Sequence, residues 1–153
     1  MRYTYKEIRK ILTTYYNDWG FCGVASFCTA TGLSVGKSYH LLKKYGRKPR
    51  TGTPFEAMFM ALKEAGYSLE RLDGNKVKVS DGWHKNYYTL GINTFGQAEK
   101  TFKKGTYFIL NITSKTGHVA CIKDGILNDW TADSKRKTVR AIFKVIKTEE
   151  NKQ

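Results

Sequence analysis

The spacing of apolar residues changes near residue 66 of this 153-residue chain. Before that point, apolar residues recur every three or four positions, which is the period of a helix that buries one face. After it, short alternating or continuous apolar runs follow one another, and such runs are typical of strands. Helices first and antiparallel strands afterwards predict an α+β fold, with a helical lobe packed on a sheet.

Three helices are predicted in the first half. The first begins near Cys22, and polar caps at Ser34 and Thr53 begin the other two. After Thr53, Pro54 and Glu56 complete a start signal of cap, first-turn proline and capping-box glutamate. A glycine ends each helix, since glycine readily adopts the left-handed conformation of a C-terminal cap. These glycines are Gly32, Gly46 and Gly66.

The chain is expected to form a single domain over residues 1–153. Its length suits one domain, and no internal repeat or low-complexity linker divides it. Apolar residues make up 41% of the sequence, enough for an ordinary core. Within this domain we expect a weakly helical lead-in at 1–16 and a disordered tail at 148–153.

Positive charge is in large excess. Lys and Arg number 27 against 13 Asp and Glu, which gives a formal net charge of +14. Such a charge attracts acidic partners, such as nucleic acid or an acidic host protein. Most charge runs are nevertheless solvated faces, and no nucleic-acid-binding motif of fixed spacing is present. The basic residues concentrate in two groups: Lys43, Lys44, Arg47, Lys48 and Arg50, then Lys135, Arg136, Lys137, Arg140, Lys144 and Lys147.

The cysteine pattern argues against a disulfide framework. There are three cysteines and no CxxC motif, so neither a full set of disulfides nor a zinc site is expected. The sequence implies no cofactor and no metal. The N-terminus lacks the apolar run of a signal peptide, and no stretch reaches the roughly 18 apolar residues of a membrane span. A cytoplasmic protein without membrane contact is therefore expected.

The stretch GHVACIKDGILNDW, residues 117–130, predicts a hairpin that turns at Asp124-Gly125. If these are the two turn residues, Lys123 pairs with Ile126, and the strands continue outward in that register. His118 and Asp129 then lie on one face as diagonal neighbours, close enough for the carboxylate to orient the imidazole. A one-residue bulge would put Asn128 in the place of Asp129, and this alternative stays open.

The stretch NDWGFCGVASFCTATG, residues 17–32, places Cys22 in the first turn of a helix. A helix N-terminus and a nearby imidazolium both stabilise a thiolate, the form of cysteine that attacks carbon. The backbone N–H of Cys22 and the side-chain amide of Asn17 are candidate donors to a developing oxyanion. A cysteine on a helix more often belongs to the core, and we assign Cys28 and Cys121 to the core. The candidate catalytic residues are Cys22, His118, Asp129 and Asn17.

These two stretches, together with the loop GRKPRTGTP at residues 46–54, resemble small phage-type members of the papain-like cysteine peptidase superfamily. The resemblance covers residues 17–147. It implies a helical lobe and an antiparallel sheet with a cleft between them, Cys22 as the nucleophile, His118 as the general base and Asp129 as its orienting acid. Where such enzymes carry a glutamine six residues before the cysteine, this chain has Tyr16, and Asn17 is the proposed substitute. Phe21 stands where a small or acidic residue is expected.

Two functions follow from these observations. The first is a papain-like thiol hydrolase, that is, a peptidase, an amidase or an acyl transferase, encoded by a phage and acting on a host or viral protein in the host cytoplasm. The second is a non-catalytic protein of the same fold whose basic surface binds nucleic acid or an acidic host protein.

Overall fold

The computed structural model describes residues 4–50, 52–72, 78–80, 87–89, 92–112, 117–129 and 135–148. Four helices come first, as the apolar spacing predicted for three of them: α1 (Tyr5–Tyr15), α2 (Phe21–Thr31), α3 (Val35–Lys44) and α4 (Phe55–Glu64). Strands and one short helix follow: β1 (Tyr67–Leu72), β2 (Lys78–Ser80), β3 (Tyr87–Thr89), α5 (Phe95–Thr101), β4 (Thr106–Ile112), β5 (Gly117–Lys123), β6 (Ile126–Asn128) and β7 (Ala141–Lys147). The predicted α+β class is confirmed. Residues 149–153 of the expected tail lie outside the described residues.

Five of the strands form one antiparallel sheet in the order β1-β7-β4-β5-β6. Both faces of this sheet are covered. On one face α2 and α4 contact the strands and α1 and α3 pack on these helices, and Phe108 and Cys121 are fully buried there. Helix α5 packs on the other face, where Ile109 and Ala120 are buried against Phe95. Burial on both faces explains why the central strand β4 has the continuous apolar run YFIL rather than alternation.

The lead-in is a well-defined helix, α1, and not the weakly helical segment that we predicted. Thr4 and Glu7 form a capping box, in which the Glu7 N–H donates to Thr4 Oγ1 at 3.2 Å and the Thr4 N–H donates to Glu7 Oε1 at 3.0 Å. Ile8 and Leu12 lie on its inner face and are fully buried in the core. Tertiary packing of this face stabilises a helix whose own propensity is weak.

The predicted start of α4 is wrong at its cap. The N-cap residue is Pro54, and no side chain caps the helix. The Thr53 hydroxyl instead accepts a hydrogen bond from Arg47 Nε at 2.9 Å. The predicted caps of α2 and α3 are confirmed, with Gly32 left-handed at a φ of 74° and the Ser34 hydroxyl bonded to the Lys37 N–H.

Candidate active site

Cys22 is the second residue of α2, as the sequence predicted. The N–H groups of a helix's first turn have no partner within the helix, so the Cys22 N–H is available to a bound group. From Gly23 to Ala30 every residue of α2 is buried, because the helix lies between its neighbouring helices and the sheet. The helix is thus fixed in place along its length, and only its ends, Phe21 and Cys22 at the start and Thr31 at the end, are partly exposed.

Three hydrogen bonds fasten the hairpin of β5 and β6 onto α2. The Ser26 hydroxyl donates to the Val119 carbonyl at 3.3 Å, and Lys123 Nζ donates to the Thr29 carbonyl at 3.1 Å. Asn128 Nδ2 donates to Thr29 Oγ1 at 2.7 Å. These bonds join α2 to the hairpin at Ser26 and at Thr29, and so they hold the first turn of α2 near the start of β5.

The hairpin has the predicted register. Asp124 and Gly125 have φ values of 51° and 85°, as a tight two-residue turn requires, and Lys123 pairs with Ile126. His118 Nε2 lies 2.8 Å from both Oδ1 and Oδ2 of Asp129. Asn128 points to the helices, where its Oδ1 accepts from the Tyr5 N–H at 3.1 Å. The bulged alternative is therefore wrong, and Asp129 is the partner of His118.

The His118 ring is held on three sides. Its Nε2 is bound to Asp129, one ring face stacks on Phe95 of α5 at a centroid distance of 6.1 Å, and a hydrogen bond joins it to Cys22. The Asp129 side chain is only 1% exposed, so this charge pair is largely shielded from water. Away from water the attraction between the two charges is stronger, and this offsets the cost of burying them.

The pKa values of the thiol and the imidazole shift in opposite directions. Burial raises the pKa of Cys22, but hydrogen bonds from His118 and from the Val119 backbone, with the charge of His118, lower it below its ordinary value overall. Burial lowers the pKa of His118, but hydrogen bonds and charge from Asp129 and Cys22 raise it to about 9. Both shifts favour the charged form of the pair, a thiolate beside an imidazolium, and the thiolate is the reactive form of a cysteine nucleophile.

A buried ion pair orders the loop that precedes α2. Arg47 Nη1 lies 2.7 Å from Asp18 Oδ2, and both side chains are fully buried. Asp18 Oδ1 accepts the N–H groups of Gly20 and Arg50, each at 3.0 Å, and Arg47 Nη2 donates to the Gly20 carbonyl at 2.7 Å. The pair joins the segment before Cys22 to Arg47 and Arg50. It also corrects the assignment of Arg47 to a basic surface, because this guanidinium is inside the protein.

Two glycines allow the loop at residues 52–53 to touch the start of α2. A Cβ at Gly23 would lie 2.3 Å from Thr53 Oγ1, and a Cβ at Gly20 would lie 2.7 Å from the Gly52 nitrogen. No side chain fits at either position without movement. The two glycines thus let this loop pack directly against the first turn of α2.

A cleft of about 320 Å³ opens beside the thiol and the imidazole. Its polar end holds Cys22 and His118, and its apolar wall is formed by Phe55, Met58 and Leu110. Gly52, Thr53, Gly117 and Val119 complete the lining. The cleft has the size and character of a site for an apolar side chain next to a reacting carbonyl.

Three of the four predicted site residues come together: Cys22, His118 and Asp129 form one hydrogen-bonded row. Asn17 lies at the bend between α1 and α2 with an exposed side chain and a φ of 47°. Its part as an oxyanion donor stays a prediction. Cys28 and Cys121 are buried, as predicted for core residues.

The sequence reasoning missed Asp18, Arg47 and Tyr5. Tyr5 is 7% exposed, and its pKa is raised by burial and by the charges of Cys22 and Asp129. The pattern TYKE at residues 4–7 is a capping-box signature and could have placed Tyr5 at the start of a helix. No local sequence pattern predicts the Asp18–Arg47 pair, since its members come from separate loops.

No protein-family model and no curated protein matches the sequence. Among the described residues, no group of three or more histidine, cysteine, aspartate or glutamate side chains is arranged to hold a metal ion. The helices within the described ranges are all too short, or too polar, to cross a lipid bilayer.

Proposed function

We propose that this protein is a thiol hydrolase of the papain-like type, a peptidase, amidase or acyl transferase. One observation carries the proposal: the row Cys22–His118–Asp129, in which a thiol at a helix N-terminus lies beside an imidazole whose Nε2 is hydrogen-bonded to a buried carboxylate. This is the arrangement of nucleophile, base and orienting acid that acyl-transfer enzymes use.

Each residue of the row has a distinct part in the reaction. The Cys22 thiolate attacks the carbonyl carbon of a bound amide or ester, and the carbonyl electron pair moves to oxygen. His118 gives its proton to the leaving group as the acyl-sulfur intermediate forms. His118 then takes a proton from water, or from an acceptor nucleophile, which attacks the acyl group and frees Cys22. Asp129 holds the ring so that Nδ1 faces the sulfur, and its charge stabilises the imidazolium.

The cleft indicates the class of substrate. Its apolar wall of Phe55, Met58 and Leu110 fits an apolar side chain beside the scissile carbonyl. The net charge of +14 favours acidic proteins or peptides over basic ones through long-range attraction. A host or viral protein with an apolar residue in an acidic segment is the substrate that we propose.

Iodoacetamide labelling, followed by peptide mass spectrometry at pH 7, tests the proposal. We expect Cys22 to be alkylated first, and we expect the His118→Ala variant to react at least about ten-fold more slowly because the thiolate has lost its counter-charge. The buried Cys28 and Cys121 serve as internal controls in the same sample. Equal rates at Cys22 in the wild type and in His118→Ala would refute the enzyme proposal.

The second candidate function, a basic binding protein, has less support than the composition suggests. Of the first basic group, Arg47 is buried against Asp18, and Lys44 lies 2.6 Å from Glu64. In the second group, Lys135 lies 3.0 Å from Glu99. The Cys22→Ala variant separates the two functions: a binding protein keeps its biological activity and loses it steeply with salt, whereas a thiol hydrolase loses it at any salt concentration.

A further inference from the structure

Trp19 and Arg50 form an exposed pair to which the reaction proposed above gives no part. The Arg50 guanidinium lies over the ring of Trp19, with its central carbon 5.5 Å from the ring centroid. Trp19 is 57% exposed, although its side chain is large and mostly apolar. The ring covers one side of the guanidinium, and Arg50 is otherwise exposed. The N–H donors of Arg50 can therefore reach a bound carboxylate.

A buried carboxylate fixes the backbone of both members of this pair. Asp18 Oδ1 accepts the N–H groups of Gly20 and Arg50, each at 3.0 Å, and Asp18 directly precedes Trp19 in the chain. The Asp18 side chain is itself fully buried against Arg47. Arg50 has a φ of 66°, which a non-glycine residue seldom adopts, and the bond to Asp18 holds it there. The pair is thus arranged before any substrate binds.

The two segments that carry the pair also form part of the cleft. Cys22 and Gly52 both line it. The segments touch at two glycines, since a Cβ at Gly20 would lie 2.7 Å from the Gly52 nitrogen. Two residues of chain span at most about 7 Å, so the Arg50 Cα lies within that distance of the Gly52 Cα. A residue next to the one that occupies the cleft is therefore within reach of the guanidinium.

From this placement we infer that Trp19 and Arg50 bind an acidic side chain of the substrate, next to the apolar side chain in the cleft. The guanidinium donates two parallel hydrogen bonds to the carboxylate, and the Trp19 ring restricts the guanidinium in advance, so that less side-chain entropy is lost on binding. This inference rests on the proposed function. It gives the preference for acidic substrates a local origin, whereas the net charge attracts an acidic residue at any position.

The acidic residue is assigned to the acyl side of the reacting carbonyl, that is, N-terminal to the apolar residue. His118 belongs to the sheet and gives its proton to the leaving group, so the leaving group lies toward the sheet. Trp19 and Arg50 belong to the helical half of the chain, on either side of α2 and α3 in the sequence. The substrate segment that we infer is an aspartate or glutamate followed by an apolar residue and the scissile bond.

Two peptides of equal composition and charge test this assignment. Acetyl-Ala-Ala-Glu-Leu and acetyl-Glu-Ala-Ala-Leu chloromethyl ketones both place leucine beside the reactive group, and the Cys22 sulfur displaces chloride from either. Their equal charge cancels the effect of long-range attraction. We expect the first peptide to alkylate Cys22 about five-fold faster in the wild type, the upper end of what an exposed ion pair contributes. Arg50→Met should bring the ratio of the two second-order rate constants close to one.

Lys43→Met is the matched control, because it removes the same charge from an exposed position of the same basic group. Its ratio should equal that of the wild type. Equal rates for the two peptides in the wild type, or an equal loss of preference in Lys43→Met, overturn the inference and leave the proposed function standing. If neither peptide alkylates Cys22 faster than iodoacetamide does, after correction for their rates with glutathione, the proposed function and the inference are both contradicted.

Two further variants keep the test open if Arg50→Met does not fold. Arg50→Lys retains the charge without the planar fork of donors, and Trp19→Leu removes the ring beneath the guanidinium. We expect each to lower the ratio to about half its wild-type value. An unchanged ratio in both variants overturns the inference.

Discussion

In the proposed catalytic row, the charge of a single side chain, Asp129, stabilises the protonated form of His118. Asp129 binds Nε2 of His118 with both oxygens and raises the pKa of the ring to about 9. The pKa of Cys22 lies below its ordinary value. In the pH window between these two values the sulfur is negative and the ring positive. The window opens as pH rises through the pKa of Cys22 and closes as it rises through that of His118.

Asp129→Asn should move the start of this window to higher pH. The amide keeps the shape of the side chain but has no charge, so the imidazolium and, with it, the thiolate become less stable. We expect the rising limb of the pH–rate profile for alkylation by iodoacetamide to shift upward by about one unit or more, with a rate at pH 7 about ten-fold lower. Asp124→Asn, a matching change at the hairpin turn, should leave the profile in place. Coincident profiles for wild type and Asp129→Asn would show that Asp129 does not control the thiol.

Arg47 carries the second residue-level prediction. Arg47→Met keeps much of the side-chain volume but leaves the Asp18 carboxylate buried without its counter-charge. Removal of one partner from a buried pair typically costs about 3–5 kcal/mol. We expect a loss of that size in the free energy of unfolding, measured by urea denaturation.

Lys43→Met is the control for that change, since Lys43 belongs to the same basic group but is exposed at the end of α3. The double variant Asp18→Asn/Arg47→Met should recover part of the loss, because the uncompensated charge is gone. A stability for Arg47→Met within about 0.5 kcal/mol of wild type would mean that the pair contributes little.

Between elements, α2 packs closely against the loop at residues 52–53. Gly23→Ala would place its Cβ 2.3 Å from Thr53 Oγ1. We expect it to lower the melting temperature and the rate of Cys22 alkylation together, because the loop or the first turn of α2 must move. The variant Gly23→Ala/Thr53→Gly should restore part of both, because the three atoms nearest to the added Cβ belong to the Thr53 side chain, although its removal also takes away the acceptor of Arg47 Nε.

Gly36→Ala tests whether any glycine-to-alanine change in a helix has this effect. Gly36 lies in α3, where an added Cβ would meet only the far end of Tyr16 at 3.0 Å. Alanine favours helix by about 1 kcal/mol over glycine, so this control should be neutral or stabilising. If Gly23→Ala behaves like Gly36→Ala, the contact with Thr53 does not constrain the site.

Local patterns predicted the elements better than the contacts between them. The Asp-Gly turn set the register of the hairpin and, through it, the approach of His118 to Asp129, because a two-residue turn leaves no freedom in pairing. The cap at Thr53 failed for a non-local reason: its hydroxyl binds Arg47, a residue that no turn or helix pattern links to it. The sequence predicted only a weak helix at α1, because the stability of this helix comes from the burial of Ile8 and Leu12. Contacts between distant segments determine these two features, and local sequence patterns do not show such contacts.

At the scale of the whole molecule, Cys22 and His118 lie side by side because the two halves of the chain pack together. Cys22 belongs to the helices and His118 to the sheet, and α2 lies directly on β5. The same packing buries Cys28 and Cys121. We therefore expect the selective reaction of one cysteine among three to depend on the complete fold.

Denaturation should thus remove the selectivity for Cys22 in a single step. With increasing urea at pH 7, we expect the reactivity of Cys22 to fall toward that of an ordinary thiol while the labelling of Cys28 and Cys121 rises to meet it, with one midpoint that coincides with the loss of helical circular dichroism. Brief iodoacetamide pulses and peptide mass spectrometry follow all three cysteines in one sample, and His118→Ala gives the Cys22 rate without its partner. The reactivity of Cys22 could instead fall at a lower urea concentration than the helical circular dichroism. The helices and the sheet would then separate before either unfolds, and the Cys22–His118–Asp129 row would depend on the interface between them.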